Sequence, residues 1–177
     1  EGGSIDVNGR GTLLTTEECL LSPVQARNPG VGREELEAIL HAHLGVTKVL
    51  WLGEGIEGDD THGHVDDLAR FVDATTVAIA ASADPADANY LRIRENRERL
   101  DGMTDQDGNV LRLVELPMPA PLTFEGQRLP ASYANFYVGN AAVLVPTFND
   151  PADRIALQRL AECFPDRRVV GIHCVDL

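Results

Sequence analysis

One ten-residue segment concentrates the side chains best suited to chemistry. Residues 58–67 read Gly-Asp-Asp-Thr-His-Gly-His-Val-Asp-Asp, so four carboxylates and two imidazoles lie between apolar stretches. Such groups transfer protons, and at this density they could also bind zinc or manganese. If residues 60–66 are extended, alternate side chains share one face. These side chains are Asp60, His62, His64 and Asp66. Composition alone leaves a solvated acidic loop as the alternative.

Length and charge limit the classes of protein that the chain can belong to. It has 177 residues, of which 44% are apolar and 24% charged, and its formal net charge is -13. One domain with a sizeable core is expected. The negative charge argues against nucleic acid or an anionic membrane as partner and favours a small cation. No apolar run reaches the roughly 20 residues that cross a bilayer, and no basic-then-apolar leader is present, so we expect a cytoplasmic protein.

The cysteines and the first residue carry separate information. Cys19, Cys163 and Cys174 are an odd number at unrelated spacings, without a paired C-x-x-C motif, so three reduced thiols are expected. The chain begins with Glu1 rather than methionine. We therefore expect a fragment or a processed product.

Three times along the chain, the pattern predicts a strand, a turn, a second strand, a helix and a third strand. The first unit has a hairpin at Asn8-Gly9 and an amphipathic helix that Gly45 ends. Its predicted strands are 4–7, 12–16 and 46–52, and its helix is 33–44. The second unit has strands 68–72, 75–81 and 110–116 and helix 86–100. The third has strands 133–138, 141–145 and 168–175 and helix 152–164. Units repeating at about 65 residues favour a circular α/β array with its functional loops at one end, and an ordinary α/β sandwich is the alternative.

Four motifs together resemble the agmatine deiminase family. They are Glu-Gly-Gly-Ser-Ile at residues 1–5, Gly-Thr-Leu-Leu-Thr-Thr-Glu-Glu-Cys-Leu-Leu at 11–21, Asp-Thr-His-Gly-His-Val-Asp at 60–66 and Ser-Tyr-Ala-Asn-Phe-Tyr at 132–137. The resemblance covers essentially the whole chain. The family belongs to the guanidine-modifying superfamily, which also holds arginine deiminase and bacterial peptidylarginine deiminases.

The resemblance implies an α/β fold that is part of a pentein-type five-bladed propeller. Three strand-strand-helix-strand modules are expected, at about residues 1–55, 64–117 and 130–177, in one partial domain. The resemblance also implies a preceding portion, with an aspartate that clamps the guanidinium, which this sequence does not include. Because an open ring would expose apolar module faces, we expect a homo-oligomer or a complementary segment.

The resemblance further implies hydrolysis of agmatine to N-carbamoylputrescine and ammonia, without cofactor or metal, through a covalent cysteine intermediate. This reaction would belong to polyamine biosynthesis, leading to putrescine. His64 would be the general acid and then the general base, and Asp66 would bind the guanidinium. Glu1 would keep the histidine protonated. Asn135 would line the site by analogy with the peptidylarginine branch, or would instead bond the backbone.

The position of the nucleophile stays open between two alternatives. Cys174 follows a histidine, as the family's catalytic cysteine does. That cysteine also follows a glycine-rich loop, whereas residues 168–172 are predicted to form a strand. We therefore expect the nucleophile beyond Leu177, which would leave this chain alone inactive, with Cys174 as the alternative.

Two other functions remain possible from the sequence. A peptidylarginine deiminase or another guanidine deiminase would need room for a peptide backbone, or an arginine that binds the substrate carboxylate. The acidic charge weakly favours agmatine. The non-enzymatic alternative is a truncated remnant that keeps only the fold.

Overall fold

The computed structural model describes residues 2–175, which form a mixed α/β fold with three three-stranded sheets of the same topology. In each sheet the first strand is antiparallel to the second, and the third is parallel to the second. The parallel pairs are joined through a helix, because parallel neighbours need a crossover whereas antiparallel ones need only a turn. The strands and helices follow in this order: β1 Ile5–Val7, β2 Thr12–Thr16, α1 Glu17–Leu21, α2 Arg33–Leu44, β3 Lys48–Leu52, β4 Ala69–Phe71, β5 Thr76–Ala81, α3 Asn89–Leu100, β6 Arg112–Pro117, β7 Thr123–Phe124, β8 Gln127–Arg128, β9 Tyr137–Val138, β10 Ala142–Thr147, α4 Ala152–Cys163 and β11 Arg168–His173.

Local sequence signals account well for the first sheet. The Asn8 carboxamide oxygen accepts the backbone N–H groups of Arg10 and Thr12 and closes the predicted hairpin turn. The Thr16 hydroxyl accepts the N–H of Cys19 and caps α1. Gly45 ends α2 in the left-handed conformation, with φ of 67°. The predicted hairpin and the predicted helix 33–44 are confirmed.

Two apolar clusters lie between the sheets. The first joins the first and second sheets and includes Leu14, Leu52, Val65, Ile79 and Leu100. The second joins the second and third sheets and includes Leu116, Tyr133, Phe136, Val143 and Leu160. Helix α3 contacts β3 of the preceding sheet, and α4 contacts β6 in the same way. The central strands β2 and β5 are consequently buried along nearly their whole length.

Most predicted elements agree with the structure to within two residues at each end, and two differ by more. Helix α3 begins at Asn89 rather than at residue 86, because Asp87 accepts the N–H of Asn89 and residues 84–87 form a separate turn. The predicted strand 133–138 is wrong over its first part, and only Tyr137–Val138 is a strand. The strand starts late because the Ser132 hydroxyl accepts the N–H of Ala134 and folds the segment before Tyr137 into a turn.

A short hairpin was not predicted from the sequence. Strands β7 and β8 pair through Glu125 and Gly126, which both have positive φ angles, of 50° and 81°. Two consecutive left-handed residues are typical of a two-residue hairpin turn, but glutamate is a weaker signal for it than asparagine or aspartate.

Candidate active site

The acidic segment is a folded loop and not a strand. Residues 57–63 form turns, and a 3-10 turn follows at Val65–Asp67. His62 and Gly63 have φ angles of 66° and 83°. The prediction that four side chains share one face is therefore wrong: His62 lies 3.1 Å from the Ser22 hydroxyl, and Asp60 is exposed.

The carboxylate of Asp59 folds this loop. Its Oδ2 accepts the N–H groups of Gly63 and His64 at 2.9 and 2.7 Å, and its Oδ1 accepts the N–H and the hydroxyl of Thr61. Asp and Asn side chains form such local turns readily. Burial acts to raise the pKa of Asp59, but the bonds from Thr61 and the N–H of His64 outweigh it and hold this pKa below its usual value. The loop is thus built around an ionised carboxylate.

The loop rests on the start of α1. The Thr16 hydroxyl donates to the carbonyl of Gly63, and the Glu18 carboxylate accepts the N–H of Gly55 at 2.7 Å. A Cβ atom on Gly63 would lie 2.6 Å from Glu18 Oε2. A Cβ on Gly55 would lie 2.5 Å from the Gly63 Cα. These close approaches require glycine at both positions. They hold the loop against α1 at Gly63, the residue before His64.

The structure brings His64 and Asp66 together, although the segment that carries them is not extended. His64 is 9% exposed, and its Nδ1 lies 4.0 Å from Asp66 Oδ1, which is too long for a hydrogen bond. Both side chains lie against Gly3. A Cβ atom there would stand 2.5 Å from His64 Nδ1 and 2.7 and 2.8 Å from the two Asp66 oxygens. Glu1, the third predicted member of this site, lies outside the described residues.

Asp66 has an unsatisfied buried oxygen. Its Oδ1 accepts no hydrogen bond from any group of residues 2–175. Burial raises the pKa of Asp66 above its usual value, although the charges of His64 and Arg70 act to lower it. A buried acceptor without a donor costs free energy, and native proteins seldom keep one without a reason. A cationic ligand with planar N–H donors would supply what this oxygen lacks.

Asn135 contacts the site through a residue that sequence reasoning missed. Its Nδ2 donates to Oδ1 of Asp67 at 2.6 Å, not to a backbone group. Asp67 is 6% exposed. Burial raises its pKa to about 7, and the neighbouring charges of Asp66 and Asp59 act in the same direction. The only sequence signal for a role of Asp67 was the Asp-Asp pair at residues 66 and 67.

The cysteines lie in other environments. Cys19 is 1% exposed in α1, and Cys163 is half-buried on α4, where burial raises the pKa of its thiol. Half-buried Cys174 lines a small apolar pocket, whose other lining residues are Leu122, Leu129, Pro130, Ala131 and Phe148. Among the described residues that line this pocket, none other than Cys174 is an acid or a base. Within residues 2–175, no group of three or more His, Cys, Asp or Glu side chains is placed to hold a metal ion.

The family model described as Porphyromonas-type peptidyl-arginine deiminase matches residues 1–177. The chain belongs to this family. As a member of the peptidyl-arginine deiminase family, it carries the His64–Asp66 pair at the contact between its first two sheets. Within the part of the chain that the structure describes, no helix is long and apolar enough to cross a membrane.

Individual relatives in the peptidyl-arginine deiminase family are similar over the whole of this chain. A protein of Latilactobacillus sakei, provisionally named agmatine deiminase, is 40% identical over 195 residues, which cover 100% of this chain and 53% of the relative. The solved agmatine deiminase of Enterococcus faecalis is 39% identical with a TM-score of 0.90, covering 99% of this chain and 52% of its own. A cysteine-to-serine variant of C. jejuni agmatine deiminase with substrate bound is 38% identical, with a TM-score of 0.89 and coverages of 98% and 50%. The chain therefore spans about half the length of these relatives.

Proposed function

We propose that this protein is an agmatine deiminase, which hydrolyses agmatine to N-carbamoylputrescine and ammonia. The observation that carries the proposal is the buried Asp66 Oδ1, which has no hydrogen-bond donor among residues 2–175 and lies 4.0 Å from the His64 ring. A guanidinium offers planar, cationic N–H groups that pair with a carboxylate. The similarity to agmatine deiminases over the whole chain supports the same substrate.

The proposed chemistry follows from the substrate. The guanidinium carbon is a weak electrophile because its charge is delocalised, so it needs a strong nucleophile and an acid for the leaving group. A cysteine thiolate attacks this carbon and forms a C–S bond. His64 gives a proton to the leaving nitrogen, the C–N bond breaks and ammonia departs. His64 then takes one proton from the water that attacks the amidino thioether carbon. The C–S bond breaks and regenerates the thiolate, and the new hydroxyl group loses its remaining proton to solvent and becomes the C=O group of the product. Asp66 holds the N–H groups throughout.

We propose that the nucleophilic thiolate lies outside this sequence, which spans about half of its solved relatives. Three observations support this. Cys19 is buried, burial raises the pKa of Cys163, and Cys174 lines an apolar pocket. A thiol becomes a good nucleophile near a cationic or basic group, and apolar surroundings have the opposite effect.

Agmatine is favoured over peptidylarginine or free arginine by the charges around the site. Asp59, Asp66 and Asp67 place three carboxyl groups in one short segment, which suits a substrate that carries two positive charges. A carboxylate-bearing substrate would need an opposing cation. Arg70, whose charge acts on Asp66, is already held by Asp6 at 2.7 Å and by the Phe136 carbonyl.

The test is turnover by the full-length gene product, which we predict to be a cytoplasmic enzyme. Ammonia and the ureido product are measured with agmatine, with free arginine and with an arginine-containing peptide. We expect agmatine to give the highest kcat/KM. Preference for the peptide would instead support the peptidylarginine alternative. A protein inactive on all three substrates would support the non-catalytic remnant.

Cys174→Ala is expected to leave agmatine hydrolysis within about twofold of wild type, because mutations outside the reacting centre have small effects. The full-length protein is assayed under saturating agmatine, with Cys163→Ala as the matched control. If Cys174→Ala removes activity and Cys163→Ala does not, Cys174 is the nucleophile and the proposal for the thiolate is wrong.

We also propose that the three sheets are modules of a five-bladed propeller, with bounds near residues 1–55, 64–117 and 130–177. Each of α3 and α4 packs on the last strand of the preceding sheet. The third sheet instead exposes Tyr137, Leu144 and Ile172, at 68%, 38% and 42%. We propose that a helix of a following module covers this apolar face, and a second copy of the chain is the alternative.

Leu144→Asp tests this packing in the full-length protein. If a helix covers the face, the buried charge should lower the free energy of unfolding by about 2 kcal/mol or more. Leu91→Asp is the matched control, because Leu91 is 63% exposed on α3. Equal denaturation midpoints for the two variants would show that the face of the third sheet stays in water.

A further inference from the structure

A second layer of polar contacts lies behind Asp66. The next residue, Asp67, is 6% exposed, and its Oδ1 accepts the Nδ2 hydrogen bond of Asn135 at 2.6 Å. The two residues are 68 positions apart in the chain. Asn135 follows the turn that begins at Ser132 and precedes β9. This bond therefore ties the 3-10 turn that carries Asp66 to the approach of the third sheet.

We propose that Asp67 is a positioning residue of the deiminase site, that Asn135 acts on the substrate only through Asp67, and that ionisation of the Asp67 carboxyl tightens binding of the cationic substrate. This inference rests on the proposed function. It changes the expected role of Asn135 from substrate contact to support of the 3-10 turn.

The geometry separates the two neighbouring carboxyl groups. In a 3-10 turn consecutive side chains point about 120° apart. Asp66 lies against Gly3 and His64, whereas Asp67 is bonded to Asn135. Since Asp67 is almost fully buried and already accepts a bond, it acts behind the guanidinium site. Its bond to Asn135 fixes the orientation of the turn on which Asp66 stands.

Burial, together with the surrounding charges, makes the protonation state of Asp67 responsive near neutral pH. Burial, and then the charges of Asp66 and Asp59, raise its pKa to about 7, while the Asn135 bond and Arg70 act to lower it. The turn packs against β1, β2, β4 and the 3-10 turn Gly2–Ser4. Of these elements, β1 contributes Asp6 and β4 contributes Arg70, which are paired with each other, and the other two have no titratable side chain.

Ionised Asp67 adds one negative charge directly behind Asp66. A cationic substrate is attracted by that charge through a partly buried region, where charges are screened less than in water. We therefore expect the Michaelis constant for agmatine to fall as the pH rises through neutrality. Agmatine itself stays fully cationic over this range, because guanidinium and alkylammonium groups titrate far above it.

The test compares Asp67→Asn with wild type in the full-length gene product. Asparagine keeps the shape and can still accept the Asn135 bond, but it cannot ionise. The KM of Asp67→Asn divided by the KM of wild type at each pH cancels the titration of all other groups. We expect a ratio near one at about pH 6 and a ratio of about five at about pH 8, with little change in kcat. Asp60→Asn, an exposed acid of the same segment, is the control and should give a flat ratio.

A double-mutant cycle tests whether Asn135 acts through Asp67. Asn135→Ala should raise the KM in the wild-type background and have little further effect in the Asp67→Ala background, because residues in one network are not additive. An equal increase of KM in both backgrounds would mean that Asn135 contacts the substrate directly, and this would overturn the inference.

Stability provides a readout that does not depend on turnover. Because the folded state holds the Asp67 proton more tightly than the unfolded state, wild type loses stability as the pH rises from about 4 to about 7. Asp67→Asn should therefore have a higher denaturation midpoint than wild type at pH 8, and the same midpoint at pH 4. Equal midpoints at both pH values would overturn the buried carboxyl on which the inference depends.

The outcomes separate this inference from the proposed function. If wild type hydrolyses agmatine and the KM ratio of Asp67→Asn stays flat, only the role of Asp67 is wrong. If wild type hydrolyses no guanidine compound, the proposed function fails and the inference fails with it.

Discussion

Gly3→Ala is expected to lower kcat/KM for agmatine by about a hundredfold or more, because small displacements of catalytic groups have effects of this size. The added methyl would stand 2.5 Å from His64 Nδ1 and within 2.8 Å of both Asp66 oxygens. Real side-chain carbons do not approach polar atoms so closely, so the histidine, the carboxylate or the backbone at Gly3 must shift. Any of these shifts separates the two groups that we propose to act on the guanidinium.

Gly2→Ala is the matched control for this prediction. A Cβ atom on Gly2 meets nothing within 4 Å, so the same substitution one residue earlier should leave activity near that of wild type. Both variants are assayed for agmatine hydrolysis in the full-length protein, and their denaturation curves are compared. If Gly3→Ala keeps kcat/KM within threefold of wild type, the His64–Asp66 pair is not the reacting site, and the proposed function loses its structural basis.

His64→Ala and Asp66→Asn are expected to be the most damaging single substitutions of the acidic segment, and to act differently. Removing a general acid and base typically costs about 10²- to 10⁴-fold, and we expect His64→Ala to lower kcat by this amount while agmatine still binds. Asp66→Asn removes the anionic acceptor, so agmatine binding should be weakened most. Asp66→Glu keeps the charge and should recover part of the affinity.

The measurements are kcat by ammonia release and agmatine affinity by calorimetry. His43→Ala and Asp60→Asn are the controls, because both residues are exposed.

The raised pKa of Asp66 also predicts the direction in which agmatine affinity changes with pH. The cation binds the ionised carboxylate, so affinity should be fully present above this raised pKa and be lost as the pH falls through it. Unchanged agmatine affinity in Asp66→Asn would assign the guanidinium contact to another residue.

The sequence alone identified the pair that these predictions address. Its resemblance to a known family assigned roles to His64 and Asp66, and the structure places the two side chains together. The hairpin at Asn8 and the end of α2 at Gly45 also followed from the sequence, because their signals are local. A turn or a helix end depends on φ preferences and side-chain bonds within a few residues, and these are readable from the chain.

Other parts of the site were decided only by tertiary structure. The segment around His62 looked extended, but Asp59 collects the backbone N–H groups that a strand would use in pairing. The role of Asn135 became visible only through its bond to Asp67, from a distant part of the chain.

Gly3 shows most clearly why the sequence could not reveal this part of the site. Nothing near it in the sequence requires glycine, since the requirement comes from two side chains more than sixty residues away. Sequence patterns record local conformational preference and the burial of apolar faces, whereas the expectation that His64 and Asp66 act on a guanidinium came from the resemblance to a known family. The spacing, orientation and protonation of those residues depend on long-range contacts and on the burial of charge, which exist only once the first three-stranded sheet has packed against the second.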